Sequence, residues 1–157
     1  MIFADSNYFI ALWDDQDDRH ADAITVERKL REMGWARGLA DLMTCLPMAS
    51  EVAEHISYTR GHMKGSEAFS RVMKNCRVIQ PTERDVQLAL DRTFRIYVSL
   101  PGKRRRPGMV DSVGVAIMRR TNVLRIVSFD SGFDLIPDIR RIKLVGEGAE
   151  AALSIDR

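Results

Sequence analysis

A chain of 157 residues, with 45% hydrophobic and 29% charged side chains, is long enough for one domain with its own apolar core. No segment has the run of apolar residues that a membrane span needs. The net charge of +2 does not by itself point to a partner. The charge distribution is more informative, because acidic residues cluster at positions 14–18 and basic residues at positions 103–106.

The sequence favours a cytoplasmic protein with two buried thiols. The N-terminal segment 1–13 is apolar, but it lacks a basic leader and contains Asp5, which argues against a secretory signal. Cys45 and Cys76 stand alone, without the paired spacing of a zinc site or of a disulfide framework.

Apolar spacing in the first half of the chain predicts strands that alternate with helices. Val26 and Leu30 recur at helical spacing, and Gly34 is placed to end their helix. Pro47 suits the first turn of a later helix, and Gly61 is placed to end that one. In chain order, the predicted elements are a strand at 1–4, helices at 7–13 and 20–33, a strand at 39–46, and helices at 47–60 and 66–74.

The same alternation continues in the second half. Glu83 and Asp85 in the first turn of a helix that opens at Thr82 have the favourable sign for the helix dipole. The predicted elements are a strand at 78–80, this helix, a loop at 100–108, a helix at 110–120, and strands at 123–129 and 142–145. The sequence after Gly146 carries no strong signal. Such regular alternation predicts an α/β fold with a mainly parallel sheet between layers of helices.

Four carboxylates occupy positions that a parallel sheet would bring together. Asp5 and Asp130 end predicted strands, whereas Glu51 and Asp111 lie in the opening turns of predicted helices. In sheets of this class, ligands bind beyond the carboxyl ends of the strands. One cleft at that edge would therefore collect all four side chains.

Converging carboxylates repel one another and raise each other's pKa unless a cation lies between them. Ligands that are all oxygen atoms favour a hard ion such as Mg²⁺ or Mn²⁺. A single Asp at a strand end is also typical of a helix cap, and this alternative stays open for Asp111 and Asp130. Asp5 differs from them, because it interrupts an otherwise apolar run that is expected to be buried.

Three segments carry a resemblance to a known family. The opening IFADSNYFIALWDDQDDRHADA combines an apolar strand, an Asp, a Ser and an apolar helix. TCLPMASEVAEHI carries a Glu, and MVDSVGVAIMRRTNVLRIVSFDSGFDLI carries two further acids separated by a helix and a strand. In this order and at this spacing the segments resemble PIN-domain nucleases, and especially the small single-domain PIN proteins that include VapC-type toxins.

The resemblance implies a three-layer α/β/α sandwich, with residues 1–146 as a single nuclease domain and 147–157 as a C-terminal tail. It implies a Mg²⁺-dependent endoribonuclease, with Mn²⁺ as a substitute, that hydrolyses RNA phosphodiester bonds. The acids that match the family's catalytic and metal-binding positions are Asp5, Glu51, Asp111 and Asp130. Asn7 and Ser128 match supporting positions that orient the acids or their water, and Glu54 competes with its neighbour Glu51 for the place of the family's Glu.

The resemblance also implies partners. As a VapC-type protein, the chain would be the toxin of a type II toxin–antitoxin pair, would bind a small antitoxin protein and would form a homodimer. Two other functions stay open, namely a catalytically weak RNA-binding or assembly module and an RNA-processing nuclease outside a toxin–antitoxin system.

The two charge clusters have different interpretations. The basic run is predicted to contact RNA phosphates without sequence preference, with a solvated loop as the alternative. It comprises Lys103, Arg104, Arg105 and Arg106. The acidic cluster is predicted to be a solvated turn that caps the helix beginning at His20. It comprises Asp14, Asp15, Asp17 and Asp18.

Overall fold

A computed structural model describes residues 1–95, 106–146 and 151–155. In this part of the chain, one sheet of six strands forms the centre of the molecule. The strands are β1 (Ile2–Ala4), β2 (Leu42–Cys45), β3 (Arg77–Ile79), β4 (Arg125–Val127), β5 (Arg140–Val145) and β6 (Ala152–Ile155). Their order is β3-β2-β1-β4-β5-β6, and neighbouring strands are parallel except for the antiparallel pair β5–β6.

Helices connect the parallel strands, as crossover connections require. They are α1 (Ser6–Trp13), α2 (His20–Glu32), α3 (Leu46–Arg60), α4 (His62–Asn75), α5 (Glu83–Ala89) and α6 (Met109–Thr121). A π-helical turn at Leu90–Phe94 continues α5, and short 3₁₀ turns lie at Leu39–Asp41 and Ser131–Leu135.

The sheet separates two apolar cores. Ile2 and Ala4 of β1 belong to a core that includes buried residues of α1, α2, α3 and α4, whereas Phe3 between them belongs to a core with α6 and Ala89 of α5. This division follows from the alternation of side chains along a strand. The predicted α/β fold, with a mainly parallel sheet flanked by helices, is confirmed.

Several predicted boundaries differ from the structure. The strand predicted at 39–46 is shorter at both ends, because residues 39–41 form a 3₁₀ turn and Leu46 already begins α3. The strand predicted at 123–129 is limited to Arg125–Val127, and α4 begins at His62 rather than at residue 66. Gly61 ends α3 as predicted, with a φ of 93° that favours glycine.

The sheet extends past residue 146, where the predicted domain ends and the predicted tail begins. β6 lies at residues 152–155 and pairs with β5 through four residues, from Ala152 opposite Val145 to Ile155 opposite Ile142. Leu153 and Ile155 pack against the core that contains Ile2. No helix in the described ranges is long and apolar enough to cross a membrane.

Candidate functional site

A cleft of about 620 Å³ lies beyond the carboxyl ends of the central strands. The four predicted carboxylates all line it, together with Ser6, Asn7, Ile10, Asp17, Glu54, His55 and Tyr58. Asp5 follows β1 directly, and Asp130 follows the neighbouring strand β4. Glu51 projects from α3 and Asp111 from the first turn of α6. The structure therefore brings the four predicted acids to one surface.

Asp5 is the most buried acid of the cleft, with 1% of its surface exposed. Its Oδ1 accepts a hydrogen bond of 2.7 Å from the backbone N–H of Ser6, which caps α1. Its Oδ2 accepts a hydrogen bond of 2.6 Å from Ser128 Oγ. Burial raises the pKa of Asp5 to about 7, and the negative charges of Asp111 and Asp130 act in the same direction.

Ser128 and Asn7 hold the two strand-end acids in place. The Ser128 hydroxyl donates to Asp5 and accepts a hydrogen bond of 2.9 Å from the backbone N–H of Asp130. Asn7 accepts a hydrogen bond of 3.1 Å from the backbone N–H of Phe129, and its amide donates to Ser128 Oγ at 3.3 Å. These contacts join the start of α1 to the segment after β4, where the sequence predicted supporting residues.

Glu51 is connected to the rest of the cleft through Ser6, which was not among the predicted site residues. The Ser6 hydroxyl donates a hydrogen bond of 2.9 Å to Glu51 Oε2. Burial raises the pKa of Glu51, and Asp111 and Glu54 raise it further. Glu54 lines the same cleft but is more exposed than Glu51. The sequence signal for Ser6 was its place directly after Asp5, in the motif that carries the family resemblance.

Asp111 and Asp130 both line the cleft and cap a local turn, so the helix-cap alternative applies to them as well. Asp111 Oδ2 accepts a hydrogen bond of 2.7 Å from the backbone N–H of Gly108 at the start of α6. Asp130 Oδ1 accepts one of 2.7 Å from the backbone N–H of Gly132 in the following 3₁₀ turn. Capping fixes the direction of each carboxylate relative to the backbone.

Arg141 of β5 clamps the segment that carries Asp130. Its Nε and Nη2 donate to the two carboxylate oxygens of Asp134 at 2.8 and 2.6 Å, and its Nη1 donates to the Ser128 carbonyl at 3.3 Å. The Arg141 side chain is 12% exposed. These contacts lie on both sides of Asp130 in the chain. They therefore stabilise the turn that orients the Asp130 carboxylate.

The predicted basic run is described only at its end, since Lys103, Arg104 and Arg105 lie outside the described residues. The backbone of Arg106 packs against the Asp130 turn, because a Cβ placed on Gly132 would lie 3.2 Å from the Arg106 carbonyl carbon. The last residue of the run therefore lies beside the cleft.

The acidic cluster at positions 14–18 differs from its prediction. Asp14 is buried and paired with Arg60 at the end of α3, and Asp15 contacts the same guanidinium. α2 has no side-chain cap at its first turn. Only Asp17 reaches the candidate cleft. The solvated-turn interpretation is therefore wrong for Asp14, because a cation 46 residues away in the chain neutralises it.

The carboxylates of the cleft are chemically suited to a hard divalent cation, because their donor atoms are all oxygen. A cation would also offset the burial and the carboxylate repulsion that together raise the pKa of Asp5. Among the described residues, no three His, Cys, Asp or Glu side chains are already arranged as a ligand set. Side-chain movement would therefore be needed for these acids to close around an ion.

No protein-family model matches the chain, and no curated protein sequence matches it. Solved structures do match its fold. VapC20 of Mycobacterium tuberculosis, described as a sarcin–ricin loop cleaving toxin, has a TM-score of 0.68 and 22% identity, over 87% of this chain and 95% of that one. A chain of VapBC2 from Rickettsia felis, bound to a promoter DNA fragment, has a TM-score of 0.58 and 12% identity, over 90% and 97%.

A chain of a toxin–antitoxin complex from Klebsiella pneumoniae matches with a TM-score of 0.54 and 12% identity, over 88% of this chain and 95% of that one. All three likenesses extend over 87–90% of this chain and 95–97% of the matched chains. The chain therefore has a VapC-type PIN-domain fold.

Proposed function

We propose that the protein is a metal-dependent endoribonuclease and the toxin of a toxin–antitoxin pair. The observation that carries the nuclease proposal is the position of Asp5. A fully buried carboxylate whose charged neighbours in the cleft are Asp111 and Asp130 is costly to ionise, and its pKa is raised to about 7. Perturbed acids grouped in a cleft are typical of functional sites.

Asp5, Asp111, Asp130 and Glu51 would hold the ion, either directly or through water. A divalent ion bound there would activate a water molecule and neutralise charge that develops on the phosphate oxygens. Mg²⁺ is the proposed cofactor, with Mn²⁺ as a substitute, because both take oxygen ligands.

The other residues of the cleft have positioning roles in this proposal. Ser128 donates to Asp5 and therefore presents its carboxylate in one orientation. Ser6 does the same for Glu51. Two observations favour Glu51 over Glu54 as the fourth acid. Ser6 holds the Glu51 carboxylate, and the Glu54 side chain is more exposed. Hydrolysis would leave a 3′-hydroxyl and a 5′-phosphate, as in the family that the sequence resembles.

RNA is the proposed substrate, and a small antitoxin protein is the proposed partner. One protein of similar fold is described as cleaving the sarcin–ricin loop, and two come from toxin–antitoxin complexes. Arg106, together with the basic run that it ends, is proposed to contact RNA phosphates. A homodimer is the proposed oligomeric state, which light scattering after gel filtration would test.

RNA cleavage with Mg²⁺, with Mn²⁺ and with EDTA tests the nuclease proposal. We expect cleavage by the wild type with either ion, none with EDTA, and loss of cleavage in Asp5→Asn and Asp111→Asn. Asp138→Asn is the matched control, because Asp138 precedes β5 and so lies at the opposite edge of the sheet. Cleavage by both cleft variants at the wild-type rate would refute the assigned roles.

A wild type that neither cleaves RNA nor binds Mn²⁺ would instead support the RNA-binding module. The toxin proposal has its own test, in which the chain is expressed alone in a bacterial host. We expect growth arrest that Asp5→Asn relieves and that co-expression of a small protein from an adjacent reading frame also relieves. If the host grows normally while it contains soluble, active nuclease, the toxin proposal is contradicted.

A further inference from the structure

Tyr58 stands out among the aromatic residues because its ring is not packed against the protein. Its side chain is 93% exposed, whereas every other aromatic side chain in the described ranges is buried or half-buried. Single exposed apolar residues are common on protein surfaces and need no explanation by themselves. The position of Tyr58 is what distinguishes it, because the residue lines the acidic cleft.

Tyr58 lies on the same face of α3 as the proposed catalytic Glu51. Glu51, His55 and Tyr58 are spaced four and three residues apart, so one side of the helix carries all three, and all three line the cleft. Seven residues correspond to about 10.5 Å along a helix axis. The tyrosine ring therefore lies about two helical turns from the carboxylate, at the mouth of the same cleft.

The negative charges of the cleft mean that an uncharged contact would strengthen the binding of an RNA ligand. Its lining contains six carboxylates, and His55 is the one basic side chain among the lining residues that are described. The six acids are Asp5, Asp17, Glu51, Glu54, Asp111 and Asp130. These charges repel phosphate groups that no metal ion or basic side chain offsets, so a contact that does not depend on phosphate attraction adds to RNA binding at the cleft mouth.

An exposed aromatic ring supplies such a contact, because every nucleobase has a flat face that stacks on it. Bases of a duplex are already stacked on each other, whereas the unpaired bases of loops and single strands are free to stack on protein side chains. We favour RNA over a protein side chain as the occupant, because the ring lies on the same face of α3 as Glu51, the proposed catalytic acid.

We propose that Tyr58, with His55 beside it, forms a subsite for one unpaired nucleobase of the RNA, next to the nucleotide whose phosphodiester is cleaved. This inference rests on the proposed nuclease function and deepens it, because it names the side chains that would bind the nucleotide beside the cleaved bond. Tyr58 is a substrate-positioning residue in this scheme and takes no part in the hydrolysis.

Steady-state cleavage of a single-stranded RNA by Tyr58→Ala, Tyr58→Trp and the wild type tests the subsite. Loss of one base–aromatic stack should raise KM roughly 10-fold while kcat changes little. Tyr58→Trp should restore KM, because the indole ring also stacks. The slope of log KM against log salt should be the same in all three proteins, since stacking releases no counterions. Met63→Ala is the matched control, because Met63 is 77% exposed and is not part of the cleft lining.

A second measurement separates failure of the subsite from failure of the nuclease proposal. Binding of an RNA that carries 2-aminopurine is followed in the Asp111→Asn background, with and without Tyr58→Ala. Stacking on Tyr58 should quench the fluorescence, and Tyr58→Ala should remove the quenching. If the wild type cleaves RNA but Tyr58→Ala retains both KM and quenching, the subsite is refuted and the nuclease stands.

If the wild type does not cleave RNA, the nuclease proposal fails and the quenching alone decides whether the base-stacking surface exists. If Tyr58→Ala weakens the binding of a protein partner and leaves RNA binding and quenching unchanged, the subsite is refuted in favour of a protein contact. The variants should fold normally, because the tyrosine ring contributes almost no buried surface.

Discussion

Asp5 and Asp85 have equally little exposed surface but lie in opposite electrostatic environments. Each is 1% exposed and each caps the start of a helix, α1 for Asp5 and α5 for Asp85. Asp85 contacts the Arg120 guanidinium at 2.9 Å and accepts hydrogen bonds from Thr82. Burial alone would raise the pKa of Asp85, but these hydrogen bonds outweigh it and lower the pKa. Burial and neighbouring carboxylates instead raise the pKa of Asp5 to about 7.

Low exposure alone therefore does not decide the role of an acid in this protein, because a neighbouring arginine lowers the pKa that burial and neighbouring carboxylates raise. Other acids with lowered pKa values also face an arginine, for example Asp14 with Arg60, Asp134 with Arg141, and Asp138 with Arg119. These pairs contribute to the folded structure. Asp5 and Glu51 have raised pKa values and lie at the cleft, where their ionisation costs stability unless a ligand is bound.

The largest expected effect concerns stability without metal. Between its unfolded-state pKa of 3.8 and its folded-state pKa of about 7, the folded Asp5 holds a proton that the unfolded chain has lost. The free energy of unfolding therefore falls as pH rises through this window. Asp5→Asn removes this dependence. As pH rises through the window, the free energy of unfolding of the wild type should therefore fall by up to about 4 kcal/mol relative to that of the variant.

Urea denaturation in EDTA at several pH values between 4 and 8 measures the difference in free energy of unfolding between wild type and Asp5→Asn. Asp85→Asn serves as the control, because it leaves Asp5 intact and should keep the wild-type dependence in this window. A constant difference between wild type and Asp5→Asn at all pH values would show that Asp5 is ionised throughout.

The second effect is stabilisation by metal. A ligand that binds only the folded state at about 100 times its Kd stabilises it by about 2.7 kcal/mol. We expect Mg²⁺ or Mn²⁺ to raise the Tm of the wild type and of Asp85→Asn, and to leave the Tm of Asp5→Asn nearly unchanged. Thermal unfolding monitored by circular dichroism makes the measurement. Equal shifts in all three proteins would place the ion elsewhere.

The third effect is the cost of Asp85→Asn itself. The variant loses the ion pair with Arg120, whose side chain is 43% exposed and therefore partly hydrated. We expect a loss of about 1–3 kcal/mol in the free energy of unfolding. Specific RNA cleavage by the folded fraction should stay at the wild-type level. If fully folded Asp85→Asn loses activity, the Asp85–Arg120 pair and the acidic cleft are not independent.

The smallest effect concerns the clamp on the Asp130 turn. Arg141→Lys keeps the positive charge but cannot form two parallel hydrogen bonds to Asp134. We expect a roughly 10-fold loss of metal affinity and cleavage with little change in stability. Arg119→Lys is a matched control, because Arg119 forms the same two-bond contact with Asp138 at 2.7 and 2.6 Å away from the cleft. Equal losses in both variants would contradict a positioning role for Arg141.

The sequence predicted the parts of the molecule that depend on local pattern and strand direction. Asp5 could be selected because it interrupts an apolar run, and Asp130 because it follows the clearest predicted strand. Parallel strands place their carboxyl ends at one edge, so a shared cleft for Asp5 and Asp130 follows from topology alone. The 3₁₀ turn before β2 and the start of α3 at Leu46 were missed because leucine and alanine at these positions also suit a strand.

Contacts between distant segments could not be predicted in this way. Ser6 and Glu51 are 45 residues apart, and their hydrogen bond depends on how α1 packs against α3. The pairing of Asp14 with Arg60 depends on the same two helices. Tyr58 is one of several apolar residues on α3, and only the packing of that helix shows that its ring stays outside the core.

The antiparallel strand β6 has a practical consequence for handling the protein. It covers the outer edge of β5, whose six residues would otherwise present unpaired backbone N–H and C=O groups. Exposed edges of this kind pair readily with other chains. A version shortened to residue 146 would also lose the packing of Leu153 and Ile155. Aggregation during purification is therefore the expected fate of such a truncation, and residues 152–155 belong in any shortened form.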